Sequence, residues 1–473
     1  MDTPTIAAIA SPPGSGGIGI IKISGPDAIR IATHSFRQHK NTRCEDLCFS
    51  RQVFPELQSH RLYYGHIVDP EKCEILDEVL LIVMRAPRSY TREDVVEIQA
   101  HSGPAVMRNI LSLVIRQGAQ MAEPGEFTRR AFLNGRIDLT QAEAVIDLIN
   151  ARTDTAFKAA ANQVTGRLRE VVESVRSCLS DLLVQVEAGI DFPEDMADIG
   201  TISRAEDRLL QGVAEPIEDL IRSYREAHIY REGIELAIVG RPNVGKSSLL
   251  NCLVEKDRVI VNPLPGTTRD LVDCTFQLHG IPVTVTDTAG IHITADPVEQ
   301  IGISKTHECI DDSHLILLVL DASESVRESD DQVYEQCHQK PVIYVINKTD
   351  LVDEKTSHAP MPPTHWNPAP NVRISALHGT GIDLLKAQIF SAVVDDPQSA
   401  VSHAVIPNFR HHESLEKCYK SVTSVTKGLH KNWPAELIAI DIREALNWLD
   451  DILGTRVEED ILERIFNRFC IGK

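Results

Sequence analysis

The stretch Leu236-Ala-Ile-Val-Gly-Arg-Pro-Asn-Val-Gly-Lys-Ser-Ser-Leu-Leu250 decides the fold of this chain. Its four apolar residues predict a buried strand, residues 240–247 match a phosphate-binding loop, and an apolar helical pattern follows. Glycines let backbone N–H groups converge on phosphate oxygens, Lys246 brings a cation to the β- and γ-phosphates, and the Ser247 hydroxyl can ligate Mg²⁺. A helix that begins at Ser247 points its positive end at the bound anion. The stretch therefore predicts a nucleotide-binding site.

Further along the chain, the sequence carries the other motifs of a guanine-nucleotide domain in order. The loop Pro263-Leu-Pro-Gly-Thr-Thr-Arg-Asp270 places Thr268 where a second hydroxyl can reach Mg²⁺ and sense the γ-phosphate. A strand then ends in Asp287-Thr-Ala-Gly290, whose aspartate reaches the metal and whose glycine lets the backbone approach the γ-phosphate. In Asn347-Lys-Thr-Asp350 the carboxylate can accept two hydrogen bonds from guanine that adenine does not offer. These motifs predict a GTP hydrolase, and the strand and loop at 372–377 are predicted to pack on the base.

The residues expected to catalyse hydrolysis depart from the common pattern. In Ras-like hydrolases a glutamine after the D-x-x-G motif orients the attacking water, but here that position is Ile291. Arg241 and Arg269 are the only loop candidates for a built-in arginine finger. Asn243 could instead hold a monovalent cation between the phosphates, which would replace the charge of the finger. Glu299, after the second switch, could orient the water directly or through another water.

Composition and charge narrow the classes of function. The chain has 473 residues, enough for about three domains, and its 68 acidic against 48 basic residues give a net charge of −20. Such a surface repels nucleic-acid phosphate, which argues against strong sequence-independent binding through charge. No apolar run is long enough to span a membrane, and the N-terminus lacks the features of a secretory or transit peptide. The ten scattered cysteines show no paired metal-site spacing. We therefore expect reduced thiols in a cytoplasmic protein.

Hydrophobic periodicity predicts a multidomain α/β protein. An α+β domain is predicted at residues 1–122, helical material at 123–231, a P-loop nucleotide domain at 232–392, and further helical material at 393–473. Continuous apolar runs at 314–321 and 341–346 predict a mostly parallel sheet covered on both faces. Because helical patterns flank the nucleotide domain, it is predicted to be inserted into one helical bundle.

The first domain offers weaker candidates for a site. Gly14-x-Gly16-x-x-Gly19 formally matches a dinucleotide fingerprint, but an alternating strand pattern follows instead of a helix, which favours a loop between strands. Glu97 lies on the polar side of a strand and is either a solvated edge charge or a ligand-binding group. Arg129, Arg130 and Arg136 form a basic cluster, which is either solvated surface or an anion site.

The helical segments carry a predicted start signal and an unusual terminal sequence. From Thr140 the pattern is helical for about fifty residues, and Thr140-Gln-Ala-Glu143 matches a capping box. Thr455 and Glu458 are predicted to cap a last helix. The terminal Cys470-Ile-Gly-Lys473 either frays with an inert thiol or contributes to chemistry.

Taken together, the motifs resemble the MnmE family (also called TrmE) of tRNA-modification GTPases. The resemblance rests on Gly-Arg-Pro-Asn-Val-Gly-Lys-Ser, Pro-Gly-Thr-Thr-Arg-Asp, Asp-Thr-Ala-Gly and the terminal Cys-Ile-Gly-Lys, and it covers the whole chain. It implies an N-terminal tetrahydrofolate-binding-like, dimerising domain and a Ras-like G domain inserted into a helical bundle. It also implies a homodimer that forms a heterotetramer with a flavoprotein, MnmG. Together the two proteins build an aminomethyl-type group, such as carboxymethylaminomethyl, on carbon 5 of the wobble uridine of certain tRNAs.

The same resemblance implies roles for residues of the G domain. K⁺ would be bound by Asn243, Asn262, Leu264 and Thr267, Mg²⁺ would be bound by Ser247 and Thr268, and Glu299 would be the catalytic glutamate. G domains of two subunits would meet across the nucleotides, so that hydrolysis is coupled to dimer closure. The contacts expected for GTP are those of Asn243, Val244, Gly245, Lys246, Ser247, Ser248, Asn262, Pro263, Leu264, Pro265, Gly266, Thr267, Thr268, Asp287, Thr288, Ala289, Gly290, Asn347, Lys348, Thr349, Asp350, Ser375, Ala376 and Leu377.

For the folate site, the resemblance implies a pocket for a tetrahydrofolate one-carbon donor, either the 5,10-methylene or the 5-formyl form. This pocket would use Lys22, Glu97, Arg136 and Lys473, with Cys470 nearby as a candidate catalytic residue. At Lys22 and Arg136 relatives carry the other basic residue, so charge is kept while hydrogen-bond geometry can differ.

Two other classes of function also accommodate a G domain. A ribosome-assembly GTPase would act as a nucleotide switch, but it leaves the first 120 residues and the Cys-Ile-Gly-Lys tail unexplained. A membrane-associated mechanical GTPase is disfavoured because the sequence has no anchor. If the function is that of the MnmE family, the acidic charge of the chain predicts that tRNA binds mainly through the complex with the partner.

Overall fold

The computed structural model of the chain describes residues 3–14, 16–38, 57–191, 209–255, 273–287, 310–311, 313–352, 362–394, 405–431, 433–456 and 459–473. The chain forms two compact units, Met1–Ile146 with Asp450–Lys473, and Asp147–Leu449. Each of these units combines parts of more than one of the four segments expected from the sequence. The four-part division therefore stays a prediction. Among the described residues, no helix is both long and apolar enough to cross a bilayer.

The first unit is built on a seven-stranded sheet in the order β3-β4-β5-β6-β2-β1-β7. Its pairs are antiparallel except β1 with β7. Alternation places Ile21 and Ile23 in the core, while Lys22 between them points to the other face of the sheet. The strands are β1 Ile6–Ile9, β2 Ile18–Ser24, β3 Phe36–Gln38, β4 Arg61–Asp69, β5 Glu74–Met84, β6 Val95–His101 and β7 Gln120–Met121. The pairing of β1 with β2 confirms that the glycine-rich segment joins two strands and opens no helix.

Helices cover this sheet and fill the remaining segments. Near the sheet lie α1 Ala28–Ser35, α2 Pro104–Arg116 and α3 Glu126–Leu133. The long helical pattern is broken into α4 Leu139–Asn150, α5 Asp154–Val164 and α6 Arg167–Asp191. The helical segment predicted from Thr140 is confirmed as three successive helices, and Gly166, with φ of 92°, marks one break between them. Beyond a π-helical turn at Leu210–Ala214 lie α7 Glu215–Glu232, α11 Phe409–His430, α12 Ala435–Leu453 and α13 Glu459–Phe466.

The start of α4 corrects the predicted capping box. Asp138 Oδ1 accepts from the Gln141 backbone N–H at 3.0 Å, and Gln141 Oε1 accepts from the Asp138 N–H at 3.2 Å. The reciprocal pair thus lies two residues before the predicted Thr140 and Glu143, both of which are buried. The predicted cap at Thr455 and Glu458 reaches residues outside the described part of the chain.

The second unit contains a six-stranded sheet in the order β13-β12-β11-β8-β10-β9, parallel except for β9 with β10. Every residue of β11 is buried: Leu315, Leu317 and Val319 face one apolar cluster, and the alternate residues face another. The strands are β8 Ile234–Val239, β9 Asp273–Leu278, β10 Ile281–Asp287, β11 Leu315–Asp321, β12 Val342–Asn347 and β13 Asn371–Arg373, with helices α8 Lys246–Glu255, α9 Glu328–Cys337 and α10 Ile382–Val393. The mixed architecture confirms the predicted fold class. Parallel strands bring the carboxyl ends of β8, β11 and β12 to one edge, where ligands bind in such sheets.

A buried ion-pair network stabilises the first unit at the start of α3. The Arg130 side chain is 6% exposed and pairs with Glu126 at 2.7 Å and with Glu93 at 3.2 Å. Ser24 Oγ also donates to Glu93 at 2.7 Å. Arg130 is therefore occupied by protein carboxylates and is not available for the anion site that its basic cluster suggested.

Replacing Arg130 by alanine should destabilise the first unit by about 3–5 kcal/mol, because Glu93 and Glu126, whose side chains are only 16% and 17% exposed, would lose their shared partner. Arg129→Ala is the matched control, since its ion pair with Glu459 spans 3.7 Å and that glutamate is 80% exposed. Its expected cost is about 0–1 kcal/mol. Scanning calorimetry of both variants measures the difference, and equal thermal shifts would contradict the assigned role of Arg130.

Candidate functional site: a nucleotide pocket and a cationic pocket

The phosphate-binding loop follows β8 and leads into α8. Gly240, Asn243 and Gly245 have φ values of 151°, 66° and 98°, which curl the backbone between the strand and the helix. Lys246 Nζ donates to the carbonyls of Gly240 at 2.7 Å and Arg241 at 3.0 Å, so the ammonium is held over the loop. Phosphate oxygens would meet this cation and the N-terminus of α8 together.

Packing within the protein also requires both loop glycines. A Cβ on Gly245 would lie 2.3 Å from Asn347 Nδ2, and one on Gly240 would lie 2.6 Å from the Val319 carbonyl. The sequence suggested glycine because the backbone must approach phosphate. In the structure, residues of β11 and β12 also lie so close to the loop that a side chain at either position would collide with them.

Asn347, at the end of β12, links the phosphate loop to residues 375–377, which together with 347–350 form the predicted base loop. It is 2% exposed; its Nδ2 donates to the Val244 carbonyl at 2.8 Å, and its Oδ1 accepts from the Ala376 N–H at 3.0 Å. Sequence reasoning assigned Asn347 only a contact with GTP. In the structure, its side-chain amide also connects these two loops through hydrogen bonds.

The remaining base-loop residues are ordered by their own partners. Asp350 is exposed, and its Oδ1 accepts a hydrogen bond from Ser375 Oγ at 2.5 Å, which lowers the pKa of the carboxyl. Asp350 is therefore ionised, as its predicted contact with the guanine N–H groups requires. Lys348 has a φ of 65° and pairs with Asp321 at 2.7 Å. Thr349 Oγ1 donates to the Ile374 carbonyl at 2.9 Å.

Other predicted contacts lie at the same loops. Ser247 and Ser248, in the first turn of α8, are exposed, as is Asn243. Leu377, next to the residue bonded by Asn347, is 78% exposed and offers an apolar side chain to a base. Arg241 forms ion pairs with Glu324 and, at 3.4 Å, with Asp330, so its guanidinium is engaged by carboxylates of the protein.

The first unit brings the proposed folate residues together. Lys22 on β2 lies directly opposite Glu97 on β6. Its Nζ lies 5.5 Å from the ring centroid of Tyr90 and 5.3 Å from that of Phe127. Burial lowers the pKa of Lys22; Glu97 opposes this shift and the nearby Lys473 adds to it.

Arg136 reaches the same aromatic residue. Its guanidinium carbon lies 4.6 Å from the Tyr90 ring centroid, and Nη1 donates to the Tyr90 carbonyl at 3.3 Å. Two cations thus share one ring. Sequence reasoning missed Tyr90 and Phe127, because one is a lone aromatic in a loop and the other lies in a short helix without a distinctive period.

The terminal tetrapeptide is fixed within the first unit. The Phe127 N–H donates to the Lys473 carbonyl at 3.1 Å, and Ile471 pairs with Pro124 in an isolated antiparallel bridge. A Cβ on Gly472 would lie 2.4 Å from the Ile9 carbonyl, which explains a glycine there. Cys470 carries an exposed free thiol. Fraying, the plainer sequence-based interpretation of this tail, is wrong.

Comparison with known proteins decides the family. A family model described as "MnmE helical domain" matches residues 139–470, and one described as "GTP-binding protein TrmE N-terminus" matches residues 5–136. The chain belongs to the MnmE family. The tRNA modification GTPase MnmE of Acetivibrio thermocellus is 42% identical over 99% of this chain and 99% of its own length. The MnmE of Moorella thermoacetica is 43% identical over the same shares of both chains, 99% and 99%.

Among solved structures, an Era variant from Aquifex aeolicus bound to GDP and AlF4⁻ is 28% identical, with a TM-score of 0.28. The matched region covers 40% of this chain and 66% of the Era chain. Membership of the MnmE family identifies the protein as a GTPase, in agreement with the prediction from its motifs.

Several residues expected from the MnmE resemblance lie outside the described part of the chain: Asn262, Pro263, Leu264, Pro265, Gly266, Thr267, Thr268, Thr288, Ala289, Gly290 and Glu299. Asp287 is the last residue of β10, which ends at the same edge of the sheet as its parallel neighbour β8. In the described ranges, no cluster of three or more His, Cys, Asp or Glu side chains forms a metal site. The ligand sets for K⁺ and Mg²⁺ thus stay predictions.

Replacing Asp350 by asparagine should weaken GTP binding by at least about 100-fold, because an amide turns one acceptor into a donor facing the guanine N–H groups. Xanthosine triphosphate, whose carbonyl at carbon 2 can accept a hydrogen bond from the new amide, should gain affinity. Titration calorimetry with both nucleotides measures this, with the exposed Glu328→Gln as control. Unchanged preference for GTP in the Asp350 variant would remove this residue from base recognition.

Proposed function

We propose that this MnmE-family protein hydrolyses GTP in a K⁺-dependent way and couples hydrolysis to modification of carbon 5 of the wobble uridine in certain tRNAs. The observation that supports it most is the Asn347 link, which joins the phosphate loop to Ala376, whose neighbour Ser375 donates a hydrogen bond to the Asp350 carboxylate. The match of relatives over 99% of the chain favours tRNA modification over the ribosome-assembly alternative.

In this proposal the chain's own groups bind and orient the nucleotide. Lys246 and the start of α8 bind the β- and γ-phosphates, and Asp350 binds the base. Ser247 at the helix start and Thr268 are the proposed Mg²⁺ ligands. K⁺, when bound, supplies positive charge between the phosphates, and Asn243 would hold it together with Asn262, Leu264 and Thr267.

The left-handed backbone at Asn243 supports this cation proposal. A non-glycine residue at φ of 66° costs free energy, and such positions concentrate at functional sites. The side chain is exposed beside the phosphate loop and carries an amide oxygen, a suitable ligand for an alkali cation. Glu299 is proposed to orient the attacking water, since Arg241 is held by Glu324 and Asp330.

The pocket of the first unit is proposed to bind the tetrahydrofolate one-carbon donor. Glu97 can accept hydrogen bonds from the amino-pyrimidinone edge of a pterin, while Lys22, Arg136 and Lys473 supply cations. The nearby aromatic rings of Tyr90 and Phe127 offer stacking surfaces. Cys470 is exposed in the tail that ends at Lys473 and is proposed to act in the same chemistry.

The assembly is proposed to be a cytoplasmic homodimer whose G domains meet across the nucleotides. A flavoprotein resembling MnmG would complete a heterotetramer. Because the chain carries a net charge of −20, we propose that the partner provides most of the affinity for tRNA.

The dependence on potassium is tested through Asn243. The unaltered protein should hydrolyse GTP about 10- to 100-fold faster in KCl than in NaCl at equal ionic strength, and Asn243→Ala should abolish that difference. Asn251→Ala, an exposed amide on α8, is the matched control. In the same assay, Glu299→Ala should lower the rate in both salts without weakening GTP binding. Equal rates of the unaltered protein in the two salts would refute the cation proposal.

A further inference from the structure

A basic cavity lies next to the proposed folate pocket in the first unit. It has a volume of about 470 Å³, and its lining includes Arg88, Arg92, Arg136, His60, Ser89 and Tyr90. Three guanidinium groups thus line one concavity, and no aspartate or glutamate is among its lining residues. In a chain with a net charge of −20, such a local excess of positive charge indicates a site for an anion.

The three arginines that line the cavity differ in how their side chains are held by the protein. Arg92 Nη1 donates to the Asn134 carbonyl at 2.9 Å, and Arg136 lies 4.6 Å from the Tyr90 ring centroid. Arg88 is exposed, and within the described parts of the chain its guanidinium has no hydrogen-bond or ion-pair partner. Two arginines are therefore anchored, and the third is available to a ligand.

The backbone at this cavity is also strained. His60 and Arg92 both have φ of 58°, a left-handed conformation that costs non-glycine residues free energy. Both line the cavity. Residues held in such conformations concentrate at ligand-binding sites, because selection for function retains them despite the cost. This strain is independent of the charges and points to the same cavity.

Tyr90 connects the cavity to the folate pocket. Its ring contacts Lys22, which lies opposite Glu97, and also Arg136, which lines the cavity. A folate whose pterin lies at Glu97 ends in a glutamate with two carboxylates. Each further glutamate joined through a γ-amide adds one carboxylate.

We propose that this cavity binds the carboxylates of the folate glutamate tail and gives the protein a preference for oligo-γ-glutamyl folates. The inference rests on the proposed folate function of the adjacent pocket. Arg88 and Arg92 would form charge-assisted hydrogen bonds with tail carboxylates, and Arg136 would be shared between the pterin-binding and tail-binding parts. A nucleic-acid backbone fits less well, because duplex binding needs cationic groups spread along many phosphates.

The experiment compares the affinity of the full-length protein for 5-formyltetrahydrofolate with one glutamate and with five, at low and moderate salt. The five-glutamate form should bind about tenfold more tightly to the unaltered protein, and salt should reduce this advantage. Arg88→Gln and Arg92→Gln should each reduce the advantage about 2- to 5-fold and weaken binding of the one-glutamate form, whose tail has only two carboxylates, by a smaller factor. Arg88→Lys, which keeps the charge, should retain most of it. Arg108→Gln, an exposed arginine on α2 outside the cavity, is the matched control.

Each other outcome has a defined meaning. If the one-glutamate form binds and the longer tail adds nothing, the tail site is refuted while the folate proposal stands. If neither form binds, the folate proposal fails, and the tail site fails with it. If the advantage survives in both glutamine variants, the tail binds elsewhere. If the variants weaken tRNA binding but leave the tail advantage intact, the cavity serves phosphates.

Discussion

The buried amide of Asn347 is the constraint on which the nucleotide site depends. It joins the Val244 carbonyl of the phosphate loop to the Ala376 N–H of the base loop, and it lies where a Cβ on Gly245 would collide with it. Because the side chain is 2% exposed, removing it would leave two polar backbone groups unpaired, each at a cost of about 1–3 kcal/mol. The distance between the phosphate-binding and base-reading groups is therefore set by the protein before any nucleotide arrives, which reduces the ordering cost of binding.

Much of the G domain was predictable because its chemistry imposes both residue types and order. Strand β11 was evident as a continuous apolar run, and the structure confirms it. The ionic engagement of Arg241 was not predictable, because Glu324 and Asp330 approach it from a segment distant in sequence. Helix boundaries were less secure: Asp138 and Gln141 compete for the same start as Thr140 and Glu143, and periodicity alone does not choose between two adjacent capping signals.

In the first unit, the sequence indicated charges but not the geometry that joins them. The opposition of Lys22 and Glu97 depends on strand register, which the alternation of side chains constrains only to one face. Tyr90 was missed because nothing local distinguishes an aromatic residue that contacts two cations from any exposed loop tyrosine. The basic cluster separated into two kinds of residue: Arg130 closes a buried network with Glu93 and Glu126, whereas Arg136 faces a cavity. The two arginines differ in burial, and the burial of an arginine side chain is difficult to predict from sequence.

The most direct test of this account replaces Asn347 by aspartate, an almost isosteric change that puts an anionic oxygen opposite the Val244 carbonyl. Calorimetric affinities for GTP and inosine triphosphate, with circular dichroism to confirm folding, form the measurement. We predict that both nucleotides lose at least about 100-fold in affinity, because the link between the two loops and not a single base contact is damaged. A folded Asn347→Asp protein that binds both nucleotides within a factor of about two of the unaltered chain would contradict the central claim.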